Sequence, residues 1–378
     1  MPLNKMKSIK DIKSLLNKRV ILRADLNVPI KDGVIVDDFR IKKVVPTIQF
    51  LQKKGAKVII ISHLGEDGSQ SLDIVAKRMK KFIKEVEFVD YPILADKTEE
   101  KINNMKKGEV IMLRNLRSED GEKKNSPSFA RGLSRYGEIF VNDAFSVSHR
   151  EHASVVGITK YLSGYAGLQL EIEVKNLSRV FEAKHPFLFI LGGAKFETKI
   201  PLVRKFLRQA DDIFIGGAIA NDFLKEKGFE IGTSLYGGHN PEIKSFLRSK
   251  NLILPKDVVV KRNTKNVDVK TTEVLSGDCI LDIGKGTTQE LKDLVSKAKF
   301  ILWNGPLGKY ENGFGGSTEE ILKAITKSKA VSIVGGGDTT AIISKLKIES
   351  KIGFVSTGGG ATLDFLAKGT LPGIRVLK

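Results

Sequence analysis

Two kinds of chemistry-bearing loop recur along this chain, and they divide it in half. In the first half, short apolar runs end in basic and polar side chains: Arg23, Asp25 and Asn27 after the opening run, His63 after the next, Arg117 after another, then Asp143 through Arg150. Guanidinium forks grouped with an imidazole suit a discrete anionic group of defined geometry. In the second half the runs end in glycine: Gly192-Gly193, Gly216-Gly217, Gly305, Gly335 to Gly337 and Gly358 to Gly360. Glycine lets the backbone approach a phosphate and leaves helix N-terminal amides open to it. One such pair is an ordinary turn or packing glycine, but several in one half point to a phosphate-bearing ligand. Two domains with two kinds of ligand follow.

The elements that must position these loops are legible in the same runs. VIIIS (58–62), EVIML (109–113), EIFVN (138–142), FLFIL (187–191), DIFIG (212–216), KFILW (299–303), VSIVG (331–335) and GFVS (353–356) are continuous apolar stretches separated by segments of helical spacing. Strands apolar on both faces and alternating with helices predict α/β architecture: two doubly wound parallel-sheet, Rossmann-like domains, with ligands beyond the carboxyl ends of the strands. The segment 168–184 has helical spacing with charges on one face and falls between the halves, so it is read as the joining helix. The expected boundaries are 1–167, 168–184 and 185–360, with a C-terminal segment 361–378.

Composition narrows the remaining options. The 378 residues, 41% hydrophobic and 28% charged, are those of an ordinary globular protein rather than a disordered or disulfide-scaffold chain. Neither a signal peptide nor a membrane span is visible, so a cytoplasmic location without membrane association is expected. The only cysteine, Cys279, is read as a small buried hydrophobe. The net charge of +19 is spread evenly, with 31 basic and 21 acidic residues up to position 170 and 32 and 23 beyond it. A nucleic-acid-binding tail would concentrate the excess, so no nucleic-acid partner is expected. GKGTT (284–288) lacks the upstream glycine and the Ser/Thr placement of a P-loop, and no strand is followed by G-x-G-x-x-G. His149 and His152 lack the partners and spacing of a zinc site, and Arg150 beside His149 reads better as part of an anion site.

Taken together, RVILRADLNVP (19–29), SHLG (62–65), NLR (115–117), VNDAF with HR (141–150), LGGAKFETK (191–199), WNGPLG with Glu311 (303–311), GGGDT (335–339) and STGGGAT (356–362) resemble the phosphoglycerate kinase family, in the family's order. The resemblance implies phosphoryl transfer between 1,3-bisphosphoglycerate and ADP, giving 3-phosphoglycerate and ATP, in glycolysis or gluconeogenesis, and a monomer. It implies that Asp25 and Asn27 face the hydroxyl and carboxyl end of phosphoglycerate, and that His63, Arg117 and Arg150 bind its phosphate. Arg40 would reach the transferring group and Lys199 the transferred phosphoryl, with amides of Gly358, Gly359 and Gly360 at a helix start. Gly193, Lys195, Gly217, Asn304, Pro306, Glu311, Gly335, Gly336, Gly337, Asp338 and Thr339 fall on nucleotide-side positions. Asp338 is the candidate Mg²⁺ ligand, the plainer alternative being a helix N-cap after GGG. The C-terminal stretch would return to the first domain, and it and the joining helix would serve domain closure. A dehydrogenase using the glycine loops, or a basic nucleic-acid-binding protein on the same fold, are the competing classes.

Two positions depart from the family pattern. After SHLG the family has Arg and Pro where this chain has Glu66 and Asp67, and before NLR it has Glu where this chain has Arg114. One expectation is a charge swap, Glu66 pairing with Arg114 or Arg114 taking over the phosphate contact. The other is independent drift at two exposed loop positions.

Overall fold

The computed structural model describes residues 6–378, and these form two compact units: Lys175 closes the first body of chain, Asn176 to Ala367 make the second, and Lys368–Lys378 belong again with the first. The first unit is built on a six-stranded sheet ordered Glu87–Val89, Val110–Leu113, Lys57–Ile61, Arg19–Arg23, Ile139–Asn142, Gly164–Ala166, parallel throughout. The second has its own parallel sheet, ordered Leu252–Ile253, Asp212–Ile215, Phe187–Leu191, Phe300–Asn304, Val331–Gly335, Phe354–Val355. Numbered along the chain, these last six strands lie in the order 3-2-1-4-5-6 of a doubly wound sheet. The central strands are the most apolar segments of the sequence because helices cover both faces, and Phe187–Leu191 and Phe300–Asn304 are buried at every residue.

In a sheet of this kind the ligand crevice opens where the strand order reverses. In the first unit that point lies between Arg19–Arg23 and Ile139–Asn142, which brings Arg23 to Asp25 beside Asn142 and Asp143. In the second it lies between Phe187–Leu191 and Phe300–Asn304, which sets Gly192 beside Gly305. Of the loops singled out in the sequence, those after Arg19–Arg23 and Ile139–Asn142 and those after Phe187–Leu191 and Phe300–Asn304 therefore stand at the two reversal points.

A third sheet was not anticipated from the sequence. Asp257–Arg262 pairs antiparallel with Lys265–Lys270 and with Cys279–Ile283. Its signal was present in DVVVKRNTKNVDVK: alternating valines on either side of a two-residue turn whose Asn263 has φ 54°. The lysine and arginine content of the stretch masked that alternation.

Within the span 168–184, Leu168–Ser178 is α-helical and Arg179–Glu182 continues as 3-10 helix. The final residues pack against the first sheet: Lys7 N–H donates to the Leu377 carbonyl at 2.8 Å, and Gly373 N–H to the Ser148 carbonyl at 2.8 Å. Asn142, wholly buried, joins them, its Nδ2 donating to Ser148 Oγ at 3.1 Å and to the Gly373 carbonyl at 3.2 Å while Oδ1 accepts from Ala144 N–H at 3.0 Å. Asn142→Ala strands several buried polar groups at once. It is expected to lower the stability of the first unit by about 2 to 3 kcal/mol, read from the urea midpoint at unchanged slope. A loss under about 0.5 kcal/mol would show that solvent replaces those bonds freely.

Candidate active site: a cationic surface and a glycine-lined cleft

The first unit gathers arginines at the reversal point of its sheet, and the deepest is Arg23, 1% exposed. Each of its three guanidinium nitrogens has a partner: Nε donates to Ser154 Oγ at 3.0 Å, Nη1 to the Ala24 carbonyl at 2.7 Å, and Nη2 to His63 Nδ1 at 3.1 Å. Below it, Glu122 accepts from Ser154 Oγ at 2.6 Å and from Ser154 N–H at 2.9 Å. Burial brings Arg23 down to about 10 and, for the same reason, pushes the Glu122 carboxyl up, with each partner's field opposing the shift. Arg23 has no acceptor atoms, so its contact fixes the His63 tautomer: Nδ1 must accept, and Nε2 carries the proton. Burial, then the fields of Arg23, Arg117, Arg150 and Arg40, depress the His63 pKa far below its usual range. His63 is thus a neutral donor toward any anion on this surface.

Around this base the remaining predicted residues come together. Arg40 Nη1 donates to Asp25 Oδ1 at 2.9 Å, while Asp25 Oδ2 is buried without a partner. Asn27 Oδ1 accepts from Gly65 N–H at 3.0 Å, and Asn115 receives Leu64 N–H at 3.3 Å and gives Nδ2–H to the Leu64 carbonyl at 2.7 Å. Asn27 is therefore a brace for the loop after His63. Gly68 presses this loop onto the main chain of Arg117; with φ +85°, a Cβ there would lie 2.4 Å from the Arg117 carbonyl carbon. Arg117 has a side chain only 1% exposed, and its Nη2 is buried with no partner. Arg150 is partly exposed, its Nε 3.4 Å from His149 Nε2.

The expected charge swap does not form. Glu66 Oε2 accepts from Arg117 Nη1 at 3.0 Å and lies 4.0 Å from Arg150 Nη1, whereas Arg114 Nε pairs with Asp90 Oδ1 at 3.3 Å. The cause is direction along the chain: Arg114 directly follows the strand Val110–Leu113 and faces the neighbouring strand end, while the turn Leu116–Ser118 carries Arg117 back beneath the loop of Glu66. Nor do the histidines make a metal centre. No group of three His, Cys, Asp or Glu that could hold a metal exists among the described residues. His152 lies 3.7 Å from Glu122 and is depressed to about 4, by burial first and the arginine fields second.

In the second unit the glycines do what their positions require. Gly192 N–H donates to the Asn304 carbonyl at 2.9 Å and Gly193 N–H to the Pro306 carbonyl at 2.8 Å. A Cβ on Gly192 would lie 2.2 Å from the Pro306 oxygen, and one on Gly305 would lie 2.4 Å from the Gly192 oxygen. The indole of wholly buried Trp303 locks the turn, donating to the Gly305 carbonyl at 2.7 Å. Beside it opens a cavity of about 300 Å³ whose wall includes Gly193, Gly217, Pro306, Glu311 and Asp338. Lys195, Asn304, Thr339 and Gly335 to Gly337 are not on that wall. Asn304 Nδ2 and Thr339 Oγ1 are nonetheless buried without partners close to it in sequence, at the end of a strand and the first turn of the helix Gly337–Leu346. The strand Cys279–Ile283 supplies an apolar part of the wall, so half-buried Cys279 faces this cavity and is not the fully buried filler expected from sequence.

Lys199 stands just before the helix Ile200–Phe206, 7% exposed, with Nζ donating to the Gly192 carbonyl. Burial lowers it to about 8, opposed by the nearby Asp338 carboxylate. Asp338 is not a cap: Gly336 holds the N-cap position, and Asp338 lies inside the first turn. Gly358 N–H is already donated to Ser356 Oγ at 3.2 Å, and Gly359 directly precedes the helix Gly360–Lys368.

Glu122 and Ser154, and the bridging role of Arg23, were missed from sequence. Arg23 was visible in RADLN, but Glu122 sits in SEDGEKK, a stretch that reads as solvated surface.

The likeness to known proteins covers both surfaces. The family model described as phosphoglycerate kinase matches residues 9–369. Phosphoglycerate kinase of Dictyoglomus turgidum is 41% identical, over 98% of this chain and 99% of that protein, and that of Coprothermobacter proteolyticus is 40% identical, over 99% of each. Among solved structures, phosphoglycerate kinase from Pyrococcus horikoshii superposes with TM-score 0.88 at 34% identity over 98% of each chain. The enzyme from Coxiella burnetii does so with 0.84 at 35% over 99% of each. With one family matched across the cationic surface, the glycine-lined cleft and nearly all the sequence between, the chain belongs to the phosphoglycerate kinase family.

Proposed function

We propose that the cationic surface holds phosphoglycerate and the glycine-lined cleft holds the nucleotide of the family's reaction, phosphoryl transfer between 1,3-bisphosphoglycerate and ADP. One observation carries the first half of this reading. Arg117 Nη2 lacks an acceptor and Asp25 Oδ2 lacks a donor, both buried on the same surface. A phosphate and a hydroxyl on one small molecule would complete them, since buried polar groups without partners are costly in the unliganded chain. For the second half, the cleft joins an apolar wall, suited to a flat base, to glycine turns suited to phosphates.

In the direction that consumes ATP, a carboxylate oxygen of 3-phosphoglycerate forms the new bond to the γ-phosphorus while the bond from that phosphorus to the β-bridging oxygen breaks. ADP leaves with the electron pair. No base is required, because a carboxylic acid with pKa of about 3.5 to 4 is already ionised at neutral pH. What remains is positioning and neutralisation of charge spread over the equatorial oxygens, for which Arg40, Lys199 and the amides of Gly359 and Gly360 are suited. The reaction requires the two ligands to meet, and closure of the two units is the proposed gating step.

The residues present fit Mg²⁺ bound in the manner usual for nucleotides. Asp338 offers one carboxylate at the cleft wall, and phosphate oxygens and water complete such a shell. Bound there, the ion would neutralise nucleotide phosphate charge. A monomeric state and cytoplasmic location belong to the same proposal; no helix among the described residues is long and apolar enough to cross a membrane.

The direct test is a coupled assay with 3-phosphoglycerate, ATP and Mg²⁺, in which absence of turnover would overturn the reading. Lys199→Ala is expected to lower kcat by about 10²- to 10³-fold with melting temperature preserved, and an unchanged kcat removes Lys199 from the mechanism. The cationic form of Lys199 is the useful one, and it is lost as pH rises through about 8. The kcat/KM profile of the free enzyme should therefore fall on the alkaline side near that value, and Lys199→Arg should move the fall upward. A flat profile to pH 10 contradicts this. Asp338→Ala should weaken Mg²⁺-nucleotide binding while leaving phosphoglycerate binding intact, and equal loss of both would mark Asp338 as structural.

A further inference from the structure

The cationic surface is not empty-handed: an internal carboxylate already rests on its phosphate-binding arginines. Glu66 Oε2 accepts from Arg117 Nη1 at 3.0 Å and lies 4.0 Å from Arg150 Nη1. These are two of the three side chains assigned to the substrate phosphate, and the reading rests on that assignment. The side chain of Glu66 is 75% exposed, while that of Arg117 is 1% exposed. The carboxylate thus reaches inward from solvent to cap a buried cation.

The main chain beneath Glu66 is held separately from its carboxylate. The Glu66 carbonyl accepts from Arg117 Nη1 at 3.0 Å and from Lys123 Nζ at 2.5 Å, and Asn27 and Asn115 brace the residues on its N-terminal side. Swinging the carboxylate into water therefore breaks its ion pair with Arg117 and the longer one with Arg150, and leaves the loop in place. The buried Arg117 Nη2, with no partner, remains available to an acceptor.

We propose that Glu66 is an internal, displaceable occupant of the phosphate site, and that it sets the affinity for phosphoglycerate by competing with the substrate phosphate for Arg117 and Arg150. A dianionic phosphate with several acceptor oxygens outcompetes one carboxylate, yet each binding event must first displace it. If the carboxylate stayed, it would face the phosphate as a like charge within a few ångströms. Either way the ionised form of Glu66 weakens substrate binding. Because the pair is broken before the chemical step, its effect falls on KM and leaves kcat nearly untouched. Where the family's pattern has an arginine reinforcing the site, this chain carries its opposite.

Glu66→Gln keeps the size and removes the charge. It is expected to lower KM for 3-phosphoglycerate roughly three- to tenfold with kcat within about twofold, the range for release of a partly exposed charge pair. Isothermal titration with inorganic phosphate should show the same gain in affinity, and Glu66→Ser, a second charge-removing change, should show the same direction. Arg114→Ala, which removes the ion pair with Asp90 and leaves the Glu66–Arg117 pair in place, should leave KM alone. An unchanged or increased KM in both Glu66 variants, at preserved melting temperature, overturns the proposal. Should the wild-type chain fail to turn over 3-phosphoglycerate at all, the functional reading falls, and the phosphate titration of Glu66→Gln against wild type still decides whether Glu66 occupies an anion site.

Discussion

Like charges must be held together at the end of the first sheet, and the rest of that unit is arranged around this constraint. Burial first, and then the fields of Arg23, Arg117, Arg150 and Arg40, hold His63 neutral. Such a cluster repels itself unless anions are placed against it, and three carboxylates serve the four arginines, Arg150 sharing Glu66 at 4.0 Å. Glu122 lies under Arg23 by way of Ser154, Asp25 beside Arg40, and Glu66 over Arg117. The compensation is graded by depth. Glu122 is buried and fixed, Asp25 keeps one oxygen free of partners, and Glu66 is exposed and able to leave. In the proposed reading a phosphate replaces only the outermost of the three, and a structural charge balance becomes a binding site.

The cleft of the second unit is built differently, from glycine turns rather than a cationic cluster, with Lys309 the one basic residue on its wall among the described residues. Its sheet reversal brings two glycine turns so close that side chains would collide with facing carbonyls, and Trp303 fixes one of them from beneath. Lys199 is held against the Gly192 carbonyl, and burial lowers its pKa to about 8. Phosphate binding would reverse that burial effect, since an anion favours the charged ammonium. A bound phosphate would therefore raise the lysine's pKa, the direction in which the Asp338 carboxylate already draws it.

Much of this was legible in the sequence, for identifiable reasons. Strands such as FLFIL and VIIIS are buried on both faces, so apolar runs reported both their existence and the doubly wound class. Loop chemistry at strand ends pointed to two kinds of surface, because the sheet of each unit brings its own strand ends together. What escaped were features set by three-dimensional partners. Glu122 reads as a surface charge until its burial under Arg23 is seen, and Glu66 and Arg114 invite pairing until the turn Leu116–Ser118 exchanges Arg117 for Arg114. The antiparallel sheet that walls the cleft was hidden by polar residues on its open face.

The central claim is that Arg117 and His63 receive the substrate phosphate as Glu66 withdraws. A crystal structure of the chain with 3-phosphoglycerate tests it most directly. The account requires phosphate oxygens within hydrogen-bonding distance of Arg117 Nη2 and His63 Nε2, with the Glu66 carboxylate turned to solvent and its main chain still held by Lys123. A phosphate bound elsewhere on the unit, or a Glu66 carboxylate still seated on Arg117 beside the bound ligand, would contradict it.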